Sequence, residues 1–362
     1  MSDDEADPEL LALLAESLGL NAPSGPPQIK VLRDAEYIYD NSIDVALDAS
    51  STKQAAEKIW QLMQEKQYSF KSWTEHELHP KTKDENTIDF IFTLDLLNFC
   101  FWIPGEDGET FTVEYRSKLW TGYWALVACL QRALDQGIPI TTPSFWIDRE
   151  KCSDEVFQSV FKSCTSAAMP LLDQRISMMR EAGQILVDQY EGSFVTAVED
   201  AKNSAARLVN FVVDEFPMFR DECKFQGKTV RLYKRAQILV ADLWAAFEGK
   251  GFGHFVDIDD VTMFADYRIP QMLQRLGCLQ YSPKLEHQIR SRQEIEHGHS
   301  WEVQIRGCTI WCVELIRKEI LRRHKDAQIN AILIDFFLYD TVKEQGDAPG
   351  VLPHHRTRTT WY

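Results

Sequence analysis

Asp266, Tyr267 and Arg268, in the stretch MFADYRIP (263–270), set a carboxylate, a phenol and a guanidinium side by side. A fixed aspartate can stabilise developing positive charge, take a proton from water or attack an electrophilic carbon. Pro270 has no amide hydrogen and disfavours a helical Ile269, so the pattern predicts a short helix over 261–268 that stops there. Asp266 would then sit near a helix C-terminus, where partial negative charge makes a carboxylate unfavourable by up to about 1 kcal/mol. Two readings stand: an ion pair with Arg268 or a solvated turn, and a catalytic acid in a cleft.

Three further groups could carry chemistry. In RLYKRAQ (231–237), Lys234 and Arg235 fall in the first turn of a predicted helix over 234–247. The free amides of a helix start attract anions, so this is either a phosphate site or a solvated basic turn. In FTLDLLNFCFW (92–102), Asp95 and Asn98 interrupt an apolar, aromatic run. Burying either without a partner costs about 1–3 kcal/mol. They serve the local backbone at a turn, or they read a heterocycle stacked on Phe99, Phe101 or Trp102; a carboxylate suits a guanidine-like edge. Tyr123 and Trp124 are core aromatics or a ligand platform. Glu302 and Arg306 are four apart and can pair with each other. His76 and His79, and His297 and His299, are close pairs without an evident third ligand, so no metal site is expected. Phosphate-loop, dinucleotide-binding, nucleophile-elbow and HExxH patterns are absent, which weighs against a P-loop kinase, a Rossmann dehydrogenase or an α/β hydrolase.

The elements that must position these residues are mainly helical. Helical spacing of apolar residues predicts helices over 52–67, capped by Thr52, and over 122–134, 171–190, 194–216, 234–247, 261–268, 271–276, 309–323 and 330–343. Short aromatic or β-branched runs at 88–95, 98–103 and 111–116, with Pro104, Gly105, Asp107 and Gly108 as a turn, predict one small antiparallel sheet. The expected class is mainly α with a small antiparallel β-sheet (α+β). Residues 1–30 read as an acidic mobile tail with a short helix over 8–18, and 31–362 as a single domain.

The 362 residues are 44% hydrophobic, which is globular, and carry a net charge of −16. Such a surface repels long nucleic acid, and the densest basic run is only Arg322-Arg323-His324-Lys325, so a small substrate is expected. The acidic start MSDDEADPEL has the composition of neither a secretory signal nor a transit peptide, and no apolar run approaches the roughly 20 residues of a membrane span. Eight scattered cysteines without C-x-x-C suit a reduced cytosolic or nuclear protein.

Six strings carry a resemblance: FTLDLLNFCFW (92–102), GYWALVACLQRALDQGIPIT (122–141), YKRAQILVADLW (233–244), TMFADYRIPQML (262–273), EVQIRGCTIWCVELIR (302–317) and PHHRTRTTWY (353–362). In order and without large gaps, they resemble the queuosine salvage proteins, the queuosine 5′-monophosphate N-glycosylases or hydrolases. The resemblance runs from about Val31 to Tyr362. It implies a fold similar to helix-hairpin-helix DNA glycosylases with an added small sheet. It implies cleavage of the N-glycosidic bond to release queuine for reinsertion into tRNA by a separate enzyme, without metal or organic cofactor. The family's lysine and aspartate fall on Lys234 and Asp266. On this reading Asp266 stabilises an oxocarbenium-like transition state and activates water. Lys234, with Tyr233 or Arg235, holds the 5′-phosphate. Asp95 and Asn98 read the aminopyrimidinone edge, Trp102 or Phe101 stacks on the base, and His76 meets polar groups of the substrate. Tyr267 and Arg268 are substrate contacts or the scaffold of Asp266. Two alternatives remain: a DNA glycosylase or lyase with Lys234 as Schiff-base nucleophile, and a non-enzymatic queuosine-binding accessory protein.

Overall fold

The computed structural model describes residues 27–104, 109–345 and 351–362. The expected helix over 8–18, most of the acidic tail and the turn residues Gly105, Asp107 and Gly108 lie outside the described residues. The chain begins with α1 (Val31–Asp40), β1 (Val45–Leu47), α2 (Ala49–Glu65), α3 (Lys71–Glu75) and α4 (Glu85–Leu96). Asp48, not Thr52, caps α2: its Oδ1 accepts from Ser51 N at 2.6 Å, while Thr52 Oγ1 donates to the Asp48 carbonyl. Helix α4 replaces the expected strand at 88–95. Asp84 caps it, and Thr87 to Leu96 are almost all buried, so the residues show no periodicity by which helix and strand could be told apart.

No strand forms at 98–103. Cys100 takes a left-handed φ of 41°, and the segment runs irregularly beside α4. Its carbonyls are satisfied by buried cations. Arg175 donates to the carbonyls of Leu97, Phe99 and Cys100, and Lys234 Nζ donates to that of Asn98 at 3.0 Å. A buried irregular backbone needs such partners.

β2 (Thr112–Tyr115) therefore pairs with β3 (Lys118–Thr121), through a turn in which Arg116 and Ser117 both have positive φ. Next come α5 (Tyr123–Asp135), α6 (Pro143–Ile147), α7 (Asp154–Val160) and α8 (Leu172–Gln189). The helix expected over 194–216 splits into α9 (Val195–Asp200) and α10 (Ala205–Glu215). Lys202 and Asn203 have positive φ between them, and Asp257 accepts the amides of Ala205 and Ala206. β4 (Glu222–Phe225) and β5 (Lys228–Arg231) form a hairpin that leads into α11 (Lys234–Ala246).

Residues 261–266 are not helical. The helix is α12 (Arg268–Arg275), followed by β6 (Leu279–Tyr281), α13 (Pro283–Arg290), α14 (Ser300–Arg323) and α15 (Ala331–Gln345). Pro270 is the third residue of α12, where its missing N–H would have had no helical partner, so it starts this helix rather than ending the one before.

The protein is thus mainly α with small antiparallel β elements. Instead of one sheet there are three two-stranded ladders, β1–β6, β2–β3 and β4–β5. The buried apolar side chains from Val31 to Tyr362 form a contiguous core. Its longest helix, α14, is buried along most of its length and packs on α1, α2, α12 and α15. At Gly307 a Cβ would fall 2.5 Å from the Ile38 side chain, so only glycine lets α14 seat this closely on α1. No described helix is long and apolar enough to cross a membrane.

Candidate active site

The start of α11, the segment 264–268, the irregular segment 98–102, the face of α15 and the residues around α3 converge on a cavity of about 670 Å³. Asp266, Lys234, Asn98, Phe101, Trp102, His76, Tyr267 and Arg268 line it. Sequence separations of more than 250 residues are closed here, and the residues most able to do chemistry meet.

Asp266 lies just before α12, not at a helix C-terminus. Its Oδ1 accepts from Arg268 N at 2.8 Å and Ile269 N at 2.9 Å, the first amides of the helix. The macrodipole therefore favours this carboxylate. Burial nevertheless raises its pKa, against the two amides, the Lys234 ammonium and Arg268.

Lys234 opens α11 and is 5% exposed. Burial lowers its pKa; Asp266 is the first of three carboxylates, with Asp95 and Asp335, that favour its charge. Tyr233 and Arg235, expected beside it as phosphate contacts, do not line the cavity. Tyr233 takes a left-handed φ of 45°, and its hydroxyl donates to Glu222. Arg235 donates to the carbonyls of Leu96, at 2.6 Å, and Met218, with its guanidinium against the Phe99 and Phe219 rings. Successive residues of a helix start point in different directions, so adjacency in YKRAQ does not bring the three side chains together.

Asp95 also lies off the cavity wall. Its Oδ1 accepts from Asn98 Nδ2 at 3.0 Å, so it orients the amide that does face the cavity. Its Oδ2 is buried without a hydrogen bond, and burial lifts its pKa to about 7.

Sequence reasoning missed Asp242 and Asp335, both of which line the cavity. Lys234, Ile238 and Asp242 follow at four-residue intervals on α11 and all face inward, as one helix stripe must. That spacing was the available signal. Asp242 is 2% exposed, Oδ2 makes no hydrogen bond, and burial next to Asp95 raises its pKa well above the usual range. Asp335 accepts from Phe264 N at 3.0 Å, and burial followed by the Asp266 charge raises its pKa likewise.

The opposite wall is aromatic. His76 stacks on Trp124 with ring centroids 3.3 Å apart, and burial pushes its pKa down to about 4. His79 lies 2.8 Å from the Trp73 carbonyl through Nδ1 and 2.8 Å from the Tyr123 hydroxyl through Nε2. Since a carbonyl only accepts, Nδ1 carries the proton and Tyr123 donates to Nε2. Tyr123 and Trp124 thus stand on the cavity wall as a platform. Tyr267 packs against His354, and Arg268 Nη1 donates to Gln271 at 3.1 Å. Among the described residues no group of His, Cys, Asp or Glu is arranged to hold a metal ion.

Burial pushes Asp242 and Asp335 toward their neutral forms, whereas two helix amides and the Lys234 ammonium favour the charge of Asp266, so Asp266 is the carboxylate placed to meet positive charge in the cavity. Aromatic walls and polar edges suit a planar heterocycle. The arrangement can therefore hold a nucleoside-like molecule and stabilise a cation formed on its sugar.

A family model described as queuosine salvage protein matches residues 78–362. Proteins named queuosine 5′-phosphate N-glycosylase/hydrolase match most of the chain. That of Schizosaccharomyces pombe is 43% identical over 348 residues, 92% of this chain and 99% of the relative. That of Mus musculus is 41% identical over 344 residues, 93% and 100%. That of Sphaerobacter thermophilus is 38% identical over 335 residues, 92% and 98%. With a family match over residues 78–362 and relatives of this identity and coverage, the chain belongs to the queuosine salvage protein family.

Proposed function

We propose that this chain hydrolyses the N-glycosidic bond of queuosine 5′-phosphate and releases queuine. The names of its relatives support the reaction. The observation that carries it to particular residues is Asp266, a carboxylate on the cavity wall, fixed by two helix amides and facing a buried ammonium. As the C1′–N bond breaks, its electron pair leaves with the base and positive charge develops on the ribose. Asp266 stabilises that charge and orients the water that attacks C1′, accepting its proton, while the nitrogen of the departing base takes up a proton from solvent so that queuine leaves neutral.

Lys234 favours the ionised form of Asp266 against burial rather than holding the phosphate, and Asp266 is in turn the strongest of the acidic neighbours that favour the Lys234 charge. Arg268, Arg275, Arg292, Lys343 and Arg356 line the same cavity and supply charge for the 5′-phosphate. Asn98, oriented by Asp95, meets the polar edge of the base, with Phe101, Trp102 or the Tyr123–Trp124 wall stacking on it. Asp242, whose carboxyl burial drives toward the neutral form, offers that edge a donor. We further infer a chain path similar to the helix-hairpin-helix DNA glycosylases. A mainly helical fold with a lysine opening one helix and an aspartate before another favours it.

Incubation with queuosine 5′-phosphate and mass spectrometry of the products tests this reading. Free queuine is expected; a folded protein that binds the nucleotide and returns it intact would be a binding protein instead. A borohydride-trapped adduct on an abasic duplex, lost in Lys234→Ala, would favour the lyase chemistry.

A further inference from the structure

Two chain segments must be held in register for the proposed chemistry. One is the start of α11 with Lys234; the other is the 264–268 segment with Asp266. Beneath both lies a buried ion pair that lines no part of the cavity. Arg306, on α14, donates through Nη1 to Asp221 Oδ1 at 2.9 Å and through Nη2 to Asp221 Oδ2 at 2.5 Å. Neither residue is more than 1% exposed.

Both partners reach out to the site. Arg306 Nε donates to the carbonyl of Ala265, the residue before Asp266, at 2.9 Å. Asp221 Oδ2 accepts from the backbone N–H of Lys234 at 3.3 Å, and the Asp221 carbonyl accepts from Leu232 N at 3.0 Å. One continuous path therefore runs from the Lys234 main chain through Asp221 and Arg306 to the main chain beside Asp266.

The rest of the surroundings fixes the guanidinium. Glu302 Oε1 accepts from Nη1 at 3.3 Å, and the Tyr362 ring lies 4.1 Å from the guanidinium carbon. Glu302 is itself held by Gly298 N at 3.0 Å. Gly307, the next residue, allows α14 its close seat on α1 and so sets the height of Arg306. A planar, bidentate guanidinium transmits a fixed geometry that a flexible ammonium does not.

We propose that the Asp221–Arg306 pair is a positioning device that sets Lys234 against Asp266. It touches neither substrate nor reacting atoms, and acts only through the two main chains. The inference rests on the reading of Asp266 and Lys234 as the reacting pair.

Arg306→Lys tests it, because a lysine keeps the charge opposite Asp221 and Glu302 but not the fork or the Nε bond to Ala265. The variant is expected to fold, as read by circular dichroism and thermal unfolding. Its kcat for queuosine 5′-phosphate should fall by about 10–100-fold, the scale of a misplacement near 1 Å. KM should stay within about threefold, since the cavity wall is intact. Substrate Kd is measured in the Asp266→Asn background, where turnover is slow, and should be the same within about threefold with and without Arg306→Lys. A folded Arg306→Lys with near wild-type kcat would overturn the proposal. So would a tenfold weakening of Kd, which would make the pair a general support of the cavity. Should Arg306→Lys not fold, Asp221→Asn replaces it: it keeps an oxygen for the Lys234 N–H, removes the charge, and must give the same split between kcat and KM. If Asp266→Asn turns over like the wild type, the failure lies with the assignment of Asp266 and not with the pair.

Discussion

Asp266→Asn removes a charge and little else. Asparagine keeps a carbonyl oxygen in the place of Oδ1, so the bonds from Arg268 N and Ile269 N, at 2.8 and 2.9 Å, can persist. What disappears is the interaction of the carboxylate with the ribosyl cation. At about 4 Å and an effective dielectric near 20, that interaction is worth roughly 4 kcal/mol. Removing one preorganised electrostatic group from an active site costs about 2.7–4 kcal/mol, so kcat should fall by about 10²–10³-fold. Stability should change little. The variant loses about 0.3–1 kcal/mol of charge–dipole interaction at the start of α12, but no longer holds an anion near Asp335. The assay is queuine release followed by mass spectrometry, alongside thermal unfolding of both proteins. A folded Asp266→Asn within tenfold of wild-type kcat would refute the assignment. A rise in KM with kcat unchanged would make Asp266 a binding residue only.

Lys234→Met removes the cation that favours ionised Asp266, so the acidic limb of the kcat–pH profile should move to higher pH, with equal losses on queuosine and its 5′-phosphate. Loss confined to the phosphorylated substrate would return Lys234 to the phosphate. Asp95 has a folded pKa raised to about 7, so the folded state binds the extra proton and its contribution to stability falls as pH rises from about 4 to about 7. Compared by thermal unfolding at pH 5 and pH 8, wild type should therefore lose ground to Asp95→Asn at the higher pH; the opposite trend would mean that the folded state prefers the charge. Gly307→Ala should cost about 1–3 kcal/mol by forcing α14 off Ile38, seen as a lower unfolding temperature; an unchanged one would show that the contact yields freely.

Elements with clear amphipathic spacing were legible: α5, α8, α11 and α15 lie within a few residues of their expected bounds. Lys234 was legible for the same reason, as a polar residue opening a strongly patterned helix. The run around Asp95 was not, because a segment buried on all sides shows neither helical nor strand periodicity. Pro270 misled because proline marks both the first turn of one helix and the end of another; Asp266 showed which only once its carboxylate was seen accepting the amides that follow it. Glu302 and Arg306 do pair, as their spacing suggested, but the tighter partner is Asp221, 85 residues away. Local spacing carries no signal for such a contact. Arg235 shows the converse limit: its neighbour reaches the cavity, while its own guanidinium ties down the carbonyls that end α4.

The central claim is that this cavity breaks a glycosidic bond and does not merely hold the nucleotide. Its most direct test is the product balance of wild-type protein with an excess of queuosine 5′-phosphate. The account predicts queuine and ribose 5-phosphate in equal amounts, accumulating well beyond the amount of protein. Nucleotide recovered intact from folded protein, or queuine release that stops at the amount of protein present, would contradict it.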